Sequence, residues 1–154
     1  MKLITLTTFL FIILTASVQR PSDKLIIQMK NSSADSGIIA HILNDIYFKG
    51  IYEGDTQLLE SIYYSGTLLF GDAGGKPYFK TIAQYLDGVK NRQSPKDSGK
   101  PFKGEIISIH VINSIAIAEV KVKMYDFNYH EFLSFHKLDG NWLIVNKMIS
   151  DVKE

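Results

Sequence analysis

Between Gly104 and Asp151, apolar and polar residues alternate in four runs separated by two-residue turns at Asn113-Ser114, Phe127-Asn128 and Asp139-Gly140. Asp139-Gly140 sets the firmest register, because a type I′ hairpin turn needs positive φ at both central residues. The turns predict pairing of Ile112 with Ile115, Asp126 with Tyr129 and Leu138 with Asn141. Strand side chains point alternately to opposite faces. One face therefore takes every second residue from Glu105 to Val111, from Ala116 to Asp126 and from Glu131 to Phe135, then Trp142, Ile144, Asn146 and Met148. It is apolar almost throughout and is the predicted core face. Its polar members, Asp126, Glu131, Asn146 and Glu105, sit toward its ends.

The N-terminal half has helical spacing instead. Ile38, Ile39, Ile42, Leu43 and Ile46 form one stripe over Ser36 to Glu53, with Gly50 a turn further on and Tyr47 on the flank. Gly50 predicts close backbone approach. Asp55 is a good N-cap for a second helix from Thr56 to Tyr63. Thr67 to Phe70 reads as a short strand, Gly71 to Gly75 as a turn, and Pro77 to Arg92 as a third helix with Phe79, Ile82, Ala83, Leu86 and Val89 inward. Gln93 to Pro101 is a loop. Helices early and strands late predict an α+β fold: a curved, mixed or antiparallel sheet wraps a long N-terminal helix, with two further helices, and encloses a cone-shaped cavity.

Before that domain, Met1 to Ser17 has a basic start at Lys2, an apolar run from Leu3 to Leu14 and small residues at Thr15-Ala16-Ser17. This is a signal-peptide pattern, and the run is shorter than the ~20 residues of a membrane-spanning helix. The expectation is an exported protein, periplasmic or extracellular: residues 1–17 leader, 18–35 a flexible tether, 36–154 one domain. Formal net charge is +1 over 154 residues, which favours neither nucleic acid nor an acidic membrane surface. The absence of cysteine excludes disulfides and thiolate chemistry.

Several stretches resemble the nuclear transport factor 2 / ketosteroid-isomerase (SnoaL-like) superfamily, with its cystatin-like α+β roll, and within it an exported lumazine-binding branch. They are residues 47–55 (YFKGIYEGD), 58–64 (LLESIYY), 116–120 (AIAEV) and, most specifically, 131–147 (EFLSFHKLDGNWLIVNK). The resemblance spans about Gly37 to Asp151. This chain has Tyr63-Tyr64 where the branch often has Phe-His, and Glu131 where it tends to have Asp. The resemblance implies the cone fold. Superfamily isomerases use a pocket carboxylate as base, with a tyrosine and a protonated carboxyl donating to the oxyanion; members without those groups mostly bind ligands or partners.

The candidate pocket is Tyr47, Met124, Asp126, Glu131, Phe135, Trp142 and Asn146, with Asp126, Glu131 and Tyr47 as candidate catalytic groups. A carboxylate walled by Met124, Phe135 and Trp142 would have the raised pKa a general base requires. Alternatively, Asp126 serves the turn and Glu131 and Asn146 are structural. Ser108, Glu119 and His136 share a row on the other face, but a triad needs histidine in the middle, so cross-strand pairing explains them. The four histidines lack metal-ligand spacing, and no cofactor is expected. Gly71 to Lys76 is followed by Pro77 rather than the Ser or Thr of a phosphate loop. The outer face collects Ile106, Ile112, Ile115, Ile117, Phe132, Leu143, Val145 and Ile149 beside His136. Such a patch marks an interface and predicts a two-fold homodimer, with Ile106, Ile117, Phe132, His136, Leu143 and Val145 at its centre. Three functions follow: an exported pocket protein for a small apolar or aromatic ligand, a cofactor-independent isomerase, dehydratase or cyclase, or an interaction module.

Overall fold

A computed structural model describes residues 20–152; the expected leader lies outside them. Helix α1 (Pro21–His41) opens with Pro21 in its first turn and passes without a break through a π-helical segment, Ile42–Phe48, into α2 (Lys49–Glu53). The long first helix thus begins at Pro21, not Ser36, and the stretch read as a tether is helical from Pro21 onward. One line of buried positions, Asp35, Ile39, Leu43, Tyr47 and Ile51, recurs every four residues, with Ile42, Phe48 and Gly50 buried beside it. An α-helix turns once every 3.6 residues, so a four-residue stripe drifts around it. The wider π turn offsets that drift. It brings Tyr47 from the flank to full burial, while Ile38 is exposed. Gly50 receives the side chain of Leu59, whose Cγ lies 2.7 Å from where a Cβ would stand. Gly54 closes α2 in the left-handed conformation, and the Asp55 carboxylate caps α3 (Thr56–Glu60) by accepting from Leu58 N at 2.9 Å.

Strands β1 (Tyr63–Ala73) and β2 (Lys76–Thr81) form a hairpin around Gly74-Gly75. Pro77 therefore lies in an edge strand, where its missing N–H is tolerated, and does not start a helix. The next helix, α4 (Ile82–Lys90), starts after Thr81, whose side chain and that of Gln84 cap each other's backbone N–H. A short α5 (Pro95–Ser98) interrupts the expected loop. Then come β3 (Phe102–Ile112), β4 (Ile115–Met124), β5 (Phe127–Leu138) and β6 (Asn141–Asp151). The sheet order is β2-β1-β6-β5-β4-β3, with β1 parallel to β6 and all other pairs antiparallel. This is the expected curved mixed sheet, and the helices fill its concave face.

The first and third turns form as expected, pairing Ile112 with Ile115 and Leu138 with Asn141. The second does not. Tyr125-Asp126 makes that turn, with Tyr125 at φ 56°, and Met124 faces Phe127. Phe127 thereby joins the strand and stacks on Tyr129 with ring centroids 5.3 Å apart. Because the turn moves by an even number of residues, the faces of β4 and β5 are preserved. Two bulges, by contrast, invert faces. An extra residue at Ile107 turns Ile106 inward and leaves Glu105 and Ile107 exposed. An extra residue at Val145 turns Lys147 and Ile149 inward and Asn146 and Met148 outward. The assignments of Glu105, Ile107, Asn146 and Met148 to the core face, and of Ile106 and Ile149 to the outer face, are corrected accordingly.

Candidate functional site

The floor of the cone carries charge. The Tyr47 hydroxyl donates to Glu131 Oε2 at 2.5 Å, and Lys147 Nζ donates to Glu131 Oε1 and to the Tyr47 oxygen, each at 2.7 Å. All three residues are at most 2 % exposed. Each comes from a different element: the π segment, β5, and β6 just past its bulge. A buried charge is tolerated only when it is paired and hydrogen-bonded, and here the pairing closes into a triangle. Lys147 Nζ also lies 5.3 Å from the ring centres of both Tyr47 and Tyr85, which spreads its charge over aromatic faces. Burial, then the negative charge of Glu131, pushes the Tyr47 phenol well above its usual range. It is a neutral donor.

Above the floor lies a cavity of about 230 Å³. Its aromatic wall is Tyr78, Tyr85 and Tyr129; Val89, Val122 and Met124 add apolar surface, and Lys80 and Arg92 add charge. Tyr78, Lys80, Arg92 and Tyr129 are half-buried and mark its open side. Tyr85, Val89 and Arg92 reach it from one face of α4 and its C-terminal end, which the capping box at Thr81 sets in phase. Burial raises the phenols of Tyr78 and Tyr85, and that of Tyr129 to about 12. The Tyr63 hydroxyl is buried behind Tyr85, with ring centres 6.0 Å apart and no well-formed hydrogen bond among the described residues.

Of the pocket residues expected from sequence, Met124 and Glu131 line this cavity, and Tyr47 sits directly behind it. Asp126 does not: it stands at the tip of the second turn, its side chain 84 % exposed and paired with Lys100 at 3.0 Å. Phe135 is packed in the core. Trp142 serves the other end of the sheet, where its Nε1 donates to the buried Asp35 carboxylate at 3.0 Å beside Lys137 Nζ at 2.7 Å. Asn146 points away and donates to the Leu68 carbonyl. On the outer face Glu119 accepts from Ser108 at 3.4 Å and contacts His130 Nε2 at 2.7 Å. His130 rather than His136 completes that row, and the carboxylate still lies in its middle.

Sequence reasoning missed Lys147, Arg92 and Tyr129; Tyr78 and Tyr85 were legible only as members of a group of aromatics, two or three of which could line a pocket. The Thr81-to-Gln84 capping box was a readable signal for the start, and so the phase, of α4; Lys147 had none, because only the bulge turns it inward. Each Glu131 oxygen accepts from one donor, which fixes the carboxylate on the floor of the cavity. The arrangement provides a dry polar floor, aromatic walls and two cations near the opening. Among the described residues, no three His, Cys, Asp or Glu side chains converge in a metal-ligating group, and no helix is long and apolar enough to cross a membrane.

A six-stranded curved sheet around a long helix, with a cavity at the wide end, defines the nuclear transport factor 2-like class. Solved structures of this class superimpose on the chain. An NTF2-like protein of unknown function from Methylobacillus flagellatus KT is 24% identical, with a TM-score of 0.70 over 79% of this chain and 95% of that one. Another from Shewanella baltica OS155 is 22% identical, with a TM-score of 0.69 over 79% and 97%. A third, from Silicibacter pomeroyi DSS-3, is 18% identical, with a TM-score of 0.64 over 86% and 100%. No curated protein matches the chain. The family model described as "Putative lumazine-binding" matches residues 34–150, and the chain belongs to that family.

Proposed function

We propose that the protein binds a small, flat ligand in the cone cavity and releases it unchanged. The observation that carries this reading is the closed Tyr47–Glu131–Lys147 triangle beneath a wall of tyrosines. An isomerase of the superfamily type uses a mobile pocket carboxylate as its base, whereas Glu131 is tied down by a donor on each oxygen. Few polar groups among many apolar and aromatic ones is the usual composition of a binding pocket. The family is described as "Putative lumazine-binding", which supports a small ligand. Native mass spectrometry of the mature protein, followed by denaturing release, tests the reading. The expected result is one small molecule per subunit; a ligand chemically converted over repeated turnovers would overturn it in favour of an enzyme.

Two further parts of the reading rest on other observations. The leader-like residues 1–17 support export, which an intact mass of secreted protein lacking them would bear out. The convex sheet face supports a two-fold homodimer. Phe79, Phe70, Met148 and Phe132 lie side by side across β2, β1, β6 and β5, each more than a third exposed. Ile117, His136, Leu143 and Val145 of the expected centre lie on the same face, whereas Ile106 does not. A second copy laying the same row across this one gives each subunit an identical, self-complementary contact. Sedimentation of a monomer at tens of micromolar would overturn it.

A further inference from the structure

Gly88 is a glycine that its own helix does not require. It lies within α4, where glycine costs stability relative to alanine because its backbone loses more freedom on folding. Its φ is not positive. The nearest atom to the place of a Cβ is Lys80 Nζ at 3.5 Å, an ordinary contact with the end of a flexible side chain. Gly50 and Gly104 differ, since a Cβ there would stand 2.7 Å from Leu59 Cγ and 2.4 Å from Phe48 Cγ. Packing dictates the bare backbone at those two positions and does not dictate it at 88. What sets Gly88 apart is its place in the cavity lining, on the same face of α4 as Tyr85 and Val89. A helical side chain leans toward the N-terminus of its helix. One at 88 would therefore lean over Tyr85 and into the mouth between α4 and β2, where Tyr78 and Lys80 stand.

We infer that Gly88 is a specificity-determining residue of this cavity, its bare backbone being the wall on which a flat, two-ring aromatic ligand lies. This rests on the binding function proposed above and adds the size class of the ligand and the residue that sets it. An apolar cavity of roughly 150 Å³ takes up a single benzene ring. The cone cavity, at about 230 Å³, is half as large again, which suits two fused rings and leaves little room for a nucleotide. Tyr78, Tyr85 and Tyr129 in the lining favour an aromatic ligand, because ring pairs gain from offset or edge-to-face contact beyond the area they bury. A side chain at 88 would take the space of the second ring.

The test uses the mature full-length chain, titrated by calorimetry with phenol and with 2-naphthol, which differ by one fused ring. The parent is expected to bind 2-naphthol at least tenfold tighter than phenol. Gly88→Val should cut that preference to less than twofold, mainly by weakening 2-naphthol. Gly88→Ala, which adds one methyl group where the backbone and the packing accept it, should weaken 2-naphthol about threefold and leave phenol unchanged; it decides the matter if the valine variant does not fold. Gly37 of α1 is the control, a helical glycine with nothing within 4 Å of its Cβ position. Gly37→Ala and Gly88→Ala should both raise the thermal midpoint, by about 1–4 °C, and only the second should touch 2-naphthol binding. An unaltered 2-naphthol preference in the Gly88 variants, an equal loss in Gly37→Ala, or failure of 2-naphthol to bind the parent at millimolar concentration overturns the inference. A one-ring or non-aromatic molecule released in native mass spectrometry would sink this inference and leave the binding function standing. Turnover of the released molecule would sink the binding function instead, with the size limit at Gly88 still decided by the titrations.

Discussion

Lys147 shows how much one residue depends on its surroundings. On a regular strand it would face solvent; after the Val145 bulge it is 2 % exposed and bonded to Glu131 and Tyr47. Replacing it with methionine keeps the volume but leaves a carboxylate buried without its cation. Lys147→Met is expected to cost about 3–5 kcal/mol, read from urea denaturation. The double variant Lys147→Met, Glu131→Leu should recover part of that loss, because an apolar pair of similar size replaces the ion pair at little net cost, while the buried Tyr47 hydroxyl, left without both partners, holds back about 1–3 kcal/mol. If the double variant were as unstable as the single one, the energetic account of the triangle would fail.

Two contacts between elements fix the long first helix on the sheet. At one end Asp35 of α1 holds Lys137 and Trp142. Hydrogen bonds first from Lys137 and then from Trp142 keep the Asp35 carboxyl below its usual value. A lowered folded value stabilises the protein above the unfolded-state pKa near ~3.9, and that contribution is lost as pH falls through the folded value. Asp35→Asn is therefore expected to lose about 1–3 kcal/mol at neutral pH and to lose less than the parent on further acidification, as thermal melts between pH 5 and pH 2 can follow. At the other end the Phe48 ring sits on Gly104, its Cγ 2.4 Å from where a Cβ would stand. Gly104→Ala must push the ring away, at about 1–3 kcal/mol, and in contrast to Asp35→Asn its effect should not vary with pH. Neither contact nor the helix start was legible in the sequence: the polar run after Pro21 reads as a tether, and the helix there is anchored by packing through Asp35.

At the scale of the molecule, the two sheet faces have separate tasks. The concave face builds the cavity, and the convex face presents the row from Phe79 to Phe132. Phe132→Lys puts a charge in the middle of that row without touching the cavity. The expected outcome is a shift from dimer to monomer in sedimentation at tens of micromolar, with the thermal midpoint of the subunit changed by less than its dimer linkage accounts for. An unchanged dimer would move the interface elsewhere.

What the sequence by itself determined is the local grammar: the four strands of the C-terminal half, where Asp139-Gly140 and Asn113-Ser114 turn, how Asp55 caps, and the class of fold those elements assemble. Those features depend on residues a few positions apart, so a single chain exposes them. Tertiary structure alone decided the register-breaking features. The bulges at Ile107 and Val145, the π turn at Ile42–Phe48 and the even shift of the Tyr125-Asp126 turn each answer to partners far along the chain. Each moves side chains between faces or along the cone, because strand side chains alternate with period two and a single extra residue inverts them. That is why Glu131 and Tyr47 could be named from sequence, whereas Lys147 and the place of Arg92 in the cavity lining emerged only when the sheet closed around the helix.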